Sequence, residues 1–231
     1  MQNIPYASTV GSLMYAQVCT HPDLAFIVGM LGRYQCNLGR EHWVAAKRVF
    51  RYLQKIKDYA LTYKRLNRLE IIGYSDSNFA RCLDSHKSTS GYVFTMTCGA
   101  ISWRSAKQSL VASSTMLAEF IACYEASSHA IWLRNFVEGL RVVENIERPL
   151  MLYCDNRVAV LFSNSNRISS RSKHIDIKFL AVKERVQSGF VSIELIGTNS
   201  MVADPLTKAL APTVFHEHIA SMGVVRMNAS N

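Results

Sequence analysis

Three short runs of β-branched and aromatic residues follow one another in the middle of the chain, and they constrain its fold more than any other feature. They read LEIIGYSDS, GYVFTMT and AISWRS, they begin at about Leu69, and turns that contain Gly, Ser and Asn separate them. Runs of this length and composition are typical of β-strands that pair through short turns. The sequence therefore predicts a three-stranded antiparallel meander.

Helices and two further strands are predicted after the meander. A long helix is expected from about Ser114 to Leu140, followed by the buried apolar strand LMLYCDN and a short helix. A helix from about Lys173 to Gln187, the strand FVSIELIG and a last short helix beginning near Met201 complete the pattern. The order βββαβααβα predicts an α/β (α+β) fold, in which helices flank a mixed five-stranded sheet.

A small helical segment, residues 1 to about 65, precedes the meander. Its second helix is predicted from about Glu41 to Lys57 and has two chemically different sides. The apolar side carries Trp43, Ala46, Phe50, Leu53 and Ile56. The basic side carries Lys47, Arg48, Arg51 and Lys55. Two interpretations stay open for the basic side: it is a solvated surface, or it lies along a phosphate backbone.

Charge and cysteine usage limit the classes of function. The chain has 26 Lys and Arg residues against 17 Asp and Glu residues, which favours a polyanionic partner such as nucleic acid. The 6 Cys residues are scattered without a CxxC pair, so we expect reduced thiols in an intracellular, cytoplasmic protein. The sequence has no apolar run of about 18 residues and no secretion signal, which predicts no membrane association.

Four acidic residues lie where a strand ends or a helix begins in this pattern. Asp76 and Asp155 follow apolar strands, Glu119 lies in the first turns of the long helix, and Asp204 lies near the start of the last helix. Sites in mixed open sheets form outside the carboxyl ends of neighbouring strands, so these carboxylates can meet there. Such a group needs a cation to offset its mutual repulsion. The alternative is that each residue is an ordinary turn or cap residue.

Five motifs carry a resemblance to a known family. In chain order they are YSDSNFA, SWRSAKQSLVASSTMLAEF, LYCDN, KHIDIKFLAVKERV and ADPLTKAL. Together they resemble the ribonuclease H domain of copia-type LTR retrotransposon polyproteins. The earlier segments PYASTVGSLMYAQVCTHPDLAF and HWVAAKRVFRYLQ resemble the end of the reverse transcriptase region of the same polyproteins. The resemblance implies a ribonuclease H-like domain at 66–210, after a helical remnant of the thumb or connection region at 1–65 and before a tail with a short helix at 211–231.

The resemblance also implies a chemistry. The family's catalytic Asp, Glu, Asp, Asp quartet falls on Asp76, Glu119, Asp155 and Asp204, and it implies two bound Mg²⁺ ions, with Mn²⁺ as a substitute. The implied reaction is hydrolysis of the RNA strand of an RNA/DNA hybrid. The rest of the retrotransposon polyprotein is a second implied partner, and a virus-like particle is the implied location if the parent element is intact.

Further residues are candidates for contact with the substrate. Discrimination of RNA from DNA requires contact with 2′-hydroxyl groups, for which Ser113, Ser114 and Thr115 at the helix start are suited; helix capping is their alternative role. The candidates for phosphate contact are Arg104, Lys107, Gln108, Arg48, Arg51 and Lys55, with a solvated surface as the alternative. Lys173 and His174 in KHID are candidates for support of the site.

The chain departs from the family pattern at two places. Leu117 replaces a second acid that usually precedes the catalytic Glu, and the loop GTNSMVAD lacks the His that many ribonucleases H carry there. No adjacent Asp pair of the polymerase type occurs, so polymerase activity is not expected, and we interpret the chain as a fragment or a decayed insertion. His216, Glu217 and His218 predict a surface helix more strongly than a zinc site. A catalytically silent relic that binds nucleic acid is the alternative function, and a transposase or integrase of similar fold is a weaker one.

Overall fold

A computed structural model describes residues 4–65, 69–82, 85–141, 149–165 and 173–227, with the side chains of 173–176 left aside. The helices in this part of the chain are α1 (Tyr6–Cys19), α2 (Ala25–Gly32), α3 (Arg40–Lys55), α4 (Thr115–Gly139), α5 (Arg157–Asn164), α6 (Lys173–Gln187) and α7 (Pro212–Ser221). The strands are β1 (Tyr59–Leu61), β2 (Ile71–Asn78), β3 (Thr89–Met96), β4 (Gly99–Lys107), β5 (Leu150–Cys154), β6 (Val191–Leu195) and β7 (Val224–Arg226). Short 3₁₀ helices cover Pro22–Leu24, Thr198–Ser200 and Asp204–Leu206.

The central sheet has five strands in the order β4-β3-β2-β5-β6. Strands β2, β3 and β4 pair antiparallel as the predicted meander, while β5 lies parallel to β2, and β6 lies parallel to β5. Parallel neighbours need long connections, and helices α4, α5 and α6 supply them. The predicted mixed five-stranded sheet flanked by helices is confirmed.

Helix α4 packs along the sheet and forms most of the main core. Phe120 and Ile121 on this helix are buried together with Leu152 of β5, Ile193 of β6 and Phe94 of β3. Apolar burial on this scale is the main favourable contribution to folding. Because the first turns of α4 are anchored in this core, their polar residues have fixed positions relative to the strand ends.

The N-terminal helices have a core of their own and also contact the sheet. Helices α1, α2 and α3 bury Leu13, Val28 and Ala46 against one another. Ala25 of α2 joins a second apolar cluster with Val93 of β3 and with residues of the segment before α7. The helical segment therefore packs directly on the face of the sheet.

The buried side of α3 differs from the predicted one. Ala46 and Val49 are buried, whereas Phe50 is 40% exposed. Helical spacing places both Val49 and Phe50 near the edge of the apolar side, and contact with α1 and α2 selects Val49 for the core. The basic residues of the other side are exposed as predicted.

Strands β1 and β7 form a separate two-stranded antiparallel sheet that the sequence did not predict. The Thr62 hydroxyl donates to the Gly223 carbonyl at 3.0 Å, next to this pair. Gly223 has φ +86°, and a Cβ there would lie 2.8 Å from Gly99 Cα, so the position requires glycine. This pairing joins the end of the N-terminal helical segment to the end of the described chain.

Within the described ranges, no helix combines the length and the apolar character that a membrane crossing requires.

Candidate active site

Asp76 and Asp155 lie side by side because they leave neighbouring parallel strands at the same level. The last parallel pair of β2 and β5 is Ser75 with Cys154, and each Asp is the next residue. Asp76 does not end its strand as predicted, because β2 continues to Asn78 along β3. The two carboxylates nevertheless meet at the carboxyl edge of the parallel pair, where sites of open sheets form.

Glu119 reaches the same edge from helix α4. Ser114 caps this helix, because its Oγ accepts a hydrogen bond from the Leu117 backbone N–H at 3.3 Å. Glu119 lies in the second turn, and its Oε1 accepts from the Ser77 N–H at 3.2 Å. The helix cap and this hydrogen bond hold the carboxylate over the end of β2.

Asp204 comes to the cluster through a close approach that only glycine permits. Gly91 pairs with Asp76 across β2 and β3. A Cβ on Gly91 would lie 2.6 Å from Thr207 Cγ2 and 2.8 Å from Leu206 Cβ, so a larger residue would displace the 3₁₀ helix that begins at Asp204. The predicted helix start near Met201 is wrong, because Met201 is a buried extended residue that packs against the sheet.

The four carboxylates form one site. Asp76, Asp155 and Asp204 each offer an oxygen, and these three atoms lie within 4.8 Å of one another. Glu119 and Asp155, with the Cys154 thiol, form a second group of the same size. Asp155 is common to both groups, and it therefore links all four acids.

Two residues that the sequence analysis did not select hold the cluster. Thr207 Oγ1 donates a hydrogen bond to Asp76 Oδ2. Lys208 Nζ lies 2.9 Å from Asp204 Oδ1 and 3.6 Å from Asp76 Oδ2. Both follow Asp204 in ADPLTKAL, so their spacing from that residue was the available signal. One lysine offsets only part of the charge of four carboxylates.

Burial and mutual repulsion shift the pKa values in the cluster upward. Asp76, Glu119 and Asp204 are only 1%, 3% and 4% exposed. Burial, opposed by Lys208, raises the pKa of Asp76 to about 6. Burial and then the charge of Asp76 raise the pKa of Glu119 to about 10. Burial also raises the pKa of Asp204, although Lys208 lowers it. Electrostatic repulsion between these buried carboxylates is unfavourable in the absence of a counter-ion, so the cluster is suited to bind a cation.

The donor set fits a hard divalent cation. The oxygens of Asp76, Asp155 and Asp204 converge, and carboxylate oxygens are the ligands that Mg²⁺ and Mn²⁺ prefer. A divalent ion would offset the repulsion that raises the pKa of Asp76 and Glu119. The acidic cluster can therefore bind a metal.

The predicted substrate contacts at the start of α4 divide into two groups. Ser113, Thr115, Arg104 and Lys107 are exposed, and Ser114 is half-buried in its capping role. Gln108 is 1% exposed, and its Nε2 donates to Ser90 Oγ at 2.8 Å and to the Ala118 carbonyl at 2.9 Å. The prediction that Gln108 contacts phosphates is therefore corrected: its amide joins β3 to α4 inside the protein.

One residue of the basic side of α3 shares a cleft with Lys208. Arg48, Arg51 and Lys55 are exposed along this helix. Arg48 and Lys208 line the same cleft of about 400 Å³, whose walls also include Tyr52 and Phe215. Arg48 of α3 and Lys208, which contacts Asp204, thus line one cleft, although most of its lining is apolar.

The remaining predicted residues have different outcomes. Helix α6 is described from Lys173 to Gln187, within the predicted range. The structure does not describe the side chains of Lys173 and His174, so their supporting role stays a prediction. His216 and Glu217 are exposed on α7, as predicted for a surface helix, whereas His218 is buried. Burial lowers the pKa of His218, and Lys208 and Asp76 are close enough to influence it.

The sheet order β4-β3-β2-β5-β6 and its helical connections define a ribonuclease H-like fold. Asp76 lies on β2, Asp155 directly follows β5, and Glu119 lies on α4, the helix between these two strands. The chain belongs to the family of copia-type retrotransposon Pol polyproteins. It is 39% identical over 215 residues to the Pol polyprotein from transposon TNT 1-94 of Nicotiana tabacum, and 33% identical over 225 residues to that from transposon RE2 of Arabidopsis thaliana. These matches cover 93% and 97% of this chain.

The chain spans only 16% and 15% of the length of these two relatives. A shorter relative, the secreted RxLR effector protein 161 of Plasmopara viticola, is 45% identical over 133 residues, which are 58% of this chain and 94% of that protein. No family model matches the sequence.

Solved structures of ribonucleases H are similar at low identity. LC11-RNase H1 in complex with RNA/DNA hybrid is 18% identical, with a TM-score of 0.43 over 59% of this chain and 93% of that one. LC11-RNase H1 isolated from compost is 16% identical, with a TM-score of 0.44 over 65% and 98%. At these TM-scores the fold assignment depends on the strand order and connections described above.

Proposed function

We propose that this chain is an endoribonuclease that hydrolyses the RNA strand of RNA/DNA hybrids, as the ribonuclease H part of a retrotransposon reverse transcriptase. The observation that carries the proposal is the convergence of Asp76, Glu119, Asp155 and Asp204 at the carboxyl edge of the sheet. Family membership makes a retrotransposon origin plain, while the activity is our inference. The catalytically silent alternative is not favoured, because all four acids are present in one site.

The four acids would hold two Mg²⁺ ions, for which Mn²⁺ would substitute. When bound by these residues, Mg²⁺ would supply an activated water and stabilisation of the negative charge on the leaving oxygen. Asp155 is the residue common to the two groups of converging donors, so its carboxylate would be close to any ion held by the cluster. Because Asp76 and Glu119 are buried, little water competes for their oxygens.

Other residues of the chain would keep these ligands in position. The Ser77 N–H holds Glu119, and the Thr207 hydroxyl holds Asp76, so neither carboxylate can rotate freely. Lys208 neutralises part of the charge of Asp204 and Asp76 until a cation binds. We propose Lys173 and His174 as further supporting residues at the start of α6.

The hybrid would lie across the start of α4 and the basic side of α3. Ser113, Ser114 and Thr115 would contact 2′-hydroxyl groups, which distinguish RNA from DNA. The exposed cations Arg104, Lys107, Arg48, Arg51 and Lys55 would contact phosphates. The net charge of +9 supports attraction of a polyanion. We further propose an intracellular location and the rest of the polyprotein as a partner.

The test is cleavage of a hybrid that carries a label on its RNA strand, in buffer with Mg²⁺. The wild-type protein should cut the hybrid and leave double-stranded DNA intact. Loss of a residue that only hydrogen-bonds to a metal ligand typically lowers activity ~10–100-fold. Asp76→Asn removes a proposed metal ligand itself, so it should lower the cleavage rate by more than this.

Asp58→Asn is the matched control, because it makes the same chemical change at an exposed position. It should retain wild-type activity, and Asp76→Asn should still bind the hybrid. If correctly folded wild-type protein binds the hybrid but does not cut it at any Mg²⁺ concentration, the proposed activity is wrong.

A further inference from the structure

The cleft that Arg48 and Lys208 line is a candidate ligand site, and the four acids of the carboxylate cluster do not line it. Its volume of about 400 Å³ lies within the range of small-molecule sites, which is roughly 300–1,000 Å³. Residues of α2 and α3 form one wall, and residues of the 205–215 segment form the other. The cleft is thus built from two parts of the chain that are far apart in the sequence.

The interior of the cleft is apolar and aromatic. Ile27, Val49 and Leu210 line it, together with Tyr52 and Phe215. The ring centroids of Tyr52 and Phe215 lie 6.1 Å apart, and their planes meet at 69° in an edge-to-face arrangement. Aromatic rings pack favourably against one another in such geometries. The interior is therefore suited to the ring system of an aromatic ligand.

One acidic residue lines the cleft, but its carboxylate is already occupied. Asp23 is only 3% exposed, and its Oδ2 accepts a hydrogen bond from the Tyr52 hydroxyl at 2.7 Å. Its Oδ1 lies 3.3 Å from His21 Nδ1. Both oxygens of Asp23 and the hydroxyl of Tyr52 thus have partners within the protein. The side-chain polar groups that remain for a ligand belong to the two lining cations.

Arg48 is the lining cation that is left for a ligand. Lys208 Nζ is 2.9 Å from Asp204 Oδ1, so its charge is already paired. Arg48 is exposed, and within the described ranges no acidic side chain forms an ion pair with it. A guanidinium group binds planar acidic groups through two parallel hydrogen bonds. An aromatic interior beside an unpaired guanidinium is complementary to an aromatic molecule that carries one negative group.

We propose that this cleft binds a small aromatic anion, whose rings lie against Tyr52 and Phe215 and whose acidic group pairs with Arg48. The binding is noncovalent, and it joins α3 to the segment that follows Asp204. Arg48 is also a proposed phosphate contact, so an occupied cleft would remove one cation from the hybrid interface. This last consequence rests on the proposed function, whereas the existence of the site does not.

The experiment is a fluorescence titration with anilinonaphthalene sulfonate, an aromatic anion whose emission increases in apolar surroundings. Its matched neutral counterpart is phenylnaphthylamine, which has the same rings and lacks the sulfonate. The wild-type protein, verified as folded by circular dichroism, should bind the sulfonate at one saturable site with a stoichiometry of one. Absence of saturable binding would overturn the proposal.

Two variants on α3 locate the bound probe. Ala45 lines the cleft, and Ala45→Phe should fill it and abolish the saturable component. Wild-type affinity in a folded Ala45→Phe variant would overturn the site. Arg48→Gln changes an exposed residue and should weaken binding of the sulfonate roughly two- to fivefold, as expected for an exposed ion pair, without changing the affinity for the neutral probe.

Arg40→Gln is the matched control for Arg48→Gln, because Arg40 is exposed on the same helix and does not line the cleft. It should bind both probes as the wild type does. Equal weakening in the two variants, or unchanged sulfonate affinity in Arg48→Gln, would contradict the pairing of Arg48 with the anion.

Competition with adenosine monophosphate distinguishes an apolar anion from a nucleotide. The occupied Asp23 and Tyr52 leave few partners for the polar edge of a base, so the nucleotide should not displace an equal concentration of the probe. Displacement would overturn the proposed ligand class. The titrations contain no hybrid and no Mg²⁺, so a protein that binds the probe but cuts no hybrid would disprove the proposed function alone.

Discussion

Replacement of Glu119 by Gln should stabilise the metal-free protein, and increasingly so as the pH rises. Burial and the charge of Asp76 raise the pKa of Glu119 from 4.5 to about 10, so the folded protein keeps a proton there that the unfolded chain releases. Between these two values the folded state binds more protons, and its unfolding free energy therefore falls with pH. The amide of the Glu119→Gln variant carries no titrating proton, so the variant lacks this loss.

The size of the stabilisation by Glu119→Gln follows from the range of pH between the pKa of Glu119 in the unfolded chain and its pKa in the folded protein. One pH unit within the window corresponds to about 1.4 kcal/mol, so three units give a ceiling of roughly 4 kcal/mol. Neighbouring carboxylates share the proton uptake, so the effect of Glu119 alone is smaller than this ceiling. We therefore expect the difference in unfolding free energy between Glu119→Gln and the wild type to grow by about 2 kcal/mol from about pH 5 to about pH 8. Gln has nearly the shape of protonated Glu, so the Ser77 N–H keeps its acceptor.

The assay is urea unfolding in EDTA at several pH values, with Glu70→Gln as the exposed matched control. Glu70→Gln should follow the wild-type pH dependence. Added Mg²⁺ should reduce the difference in unfolding free energy between Glu119→Gln and the wild type. A ligand that binds only the folded state stabilises it, and the variant, which has lost one metal donor, should gain less from Mg²⁺ than the wild type. An advantage that stays constant from about pH 5 to pH 8 would refute the reasoning about buried charge.

Three other changes test the supports of the site. Gly91→Ala should lower the unfolding free energy by about 1–3 kcal/mol, as measured in urea, because the new methyl group overlaps Leu206 and Thr207, which follow Asp204. Lys208→Met should destabilise metal-free protein more at about pH 8 than at about pH 5 in thermal unfolding, because Asp76, whose pKa is raised to about 6, is ionised at the higher pH. Combined replacement of Arg48, Arg51 and Lys55 by Gln should weaken hybrid binding and lower the slope of log affinity against log salt by up to about three, as measured by fluorescence anisotropy; an unchanged slope would exclude α3 from the interface.

The secondary structure of the sheet and its helices was predictable from local patterns. Strand β5 and helix α6 fall within the predicted LMLYCDN and 173–187 segments, because apolar runs and helical periodicity are properties of contiguous residues. The convergence of Asp76 and Asp155 followed from the rule that sites form where parallel strands end. The division of the chain at about residues 65 and 210 stays a prediction.

Contacts between distant segments were not predictable in the same way. Gly91 permits the approach of Asp204, yet nothing near Gly91 in the sequence indicates which segment approaches it. The burial of Gln108 depends on Ser90 and on helix α4, which a pattern of polar residues does not reveal. Local periodicity likewise placed Phe50 on the apolar side of α3, whereas contacts with α1 and α2 bury Val49 and leave Phe50 40% exposed.

The pairing of β1 with β7 has a consequence for the order of folding. Tyr59 pairs with Arg226, so this sheet joins residues separated by most of the chain, and contacts of such high sequence separation form slowly. During synthesis β1 is made well before β7, so β1 has no partner strand until residues 224–226 leave the ribosome. Exposed backbone of an unpaired strand invites pairing with other chains, so the interval before β7 arrives is when a nascent chain is most vulnerable to aggregation.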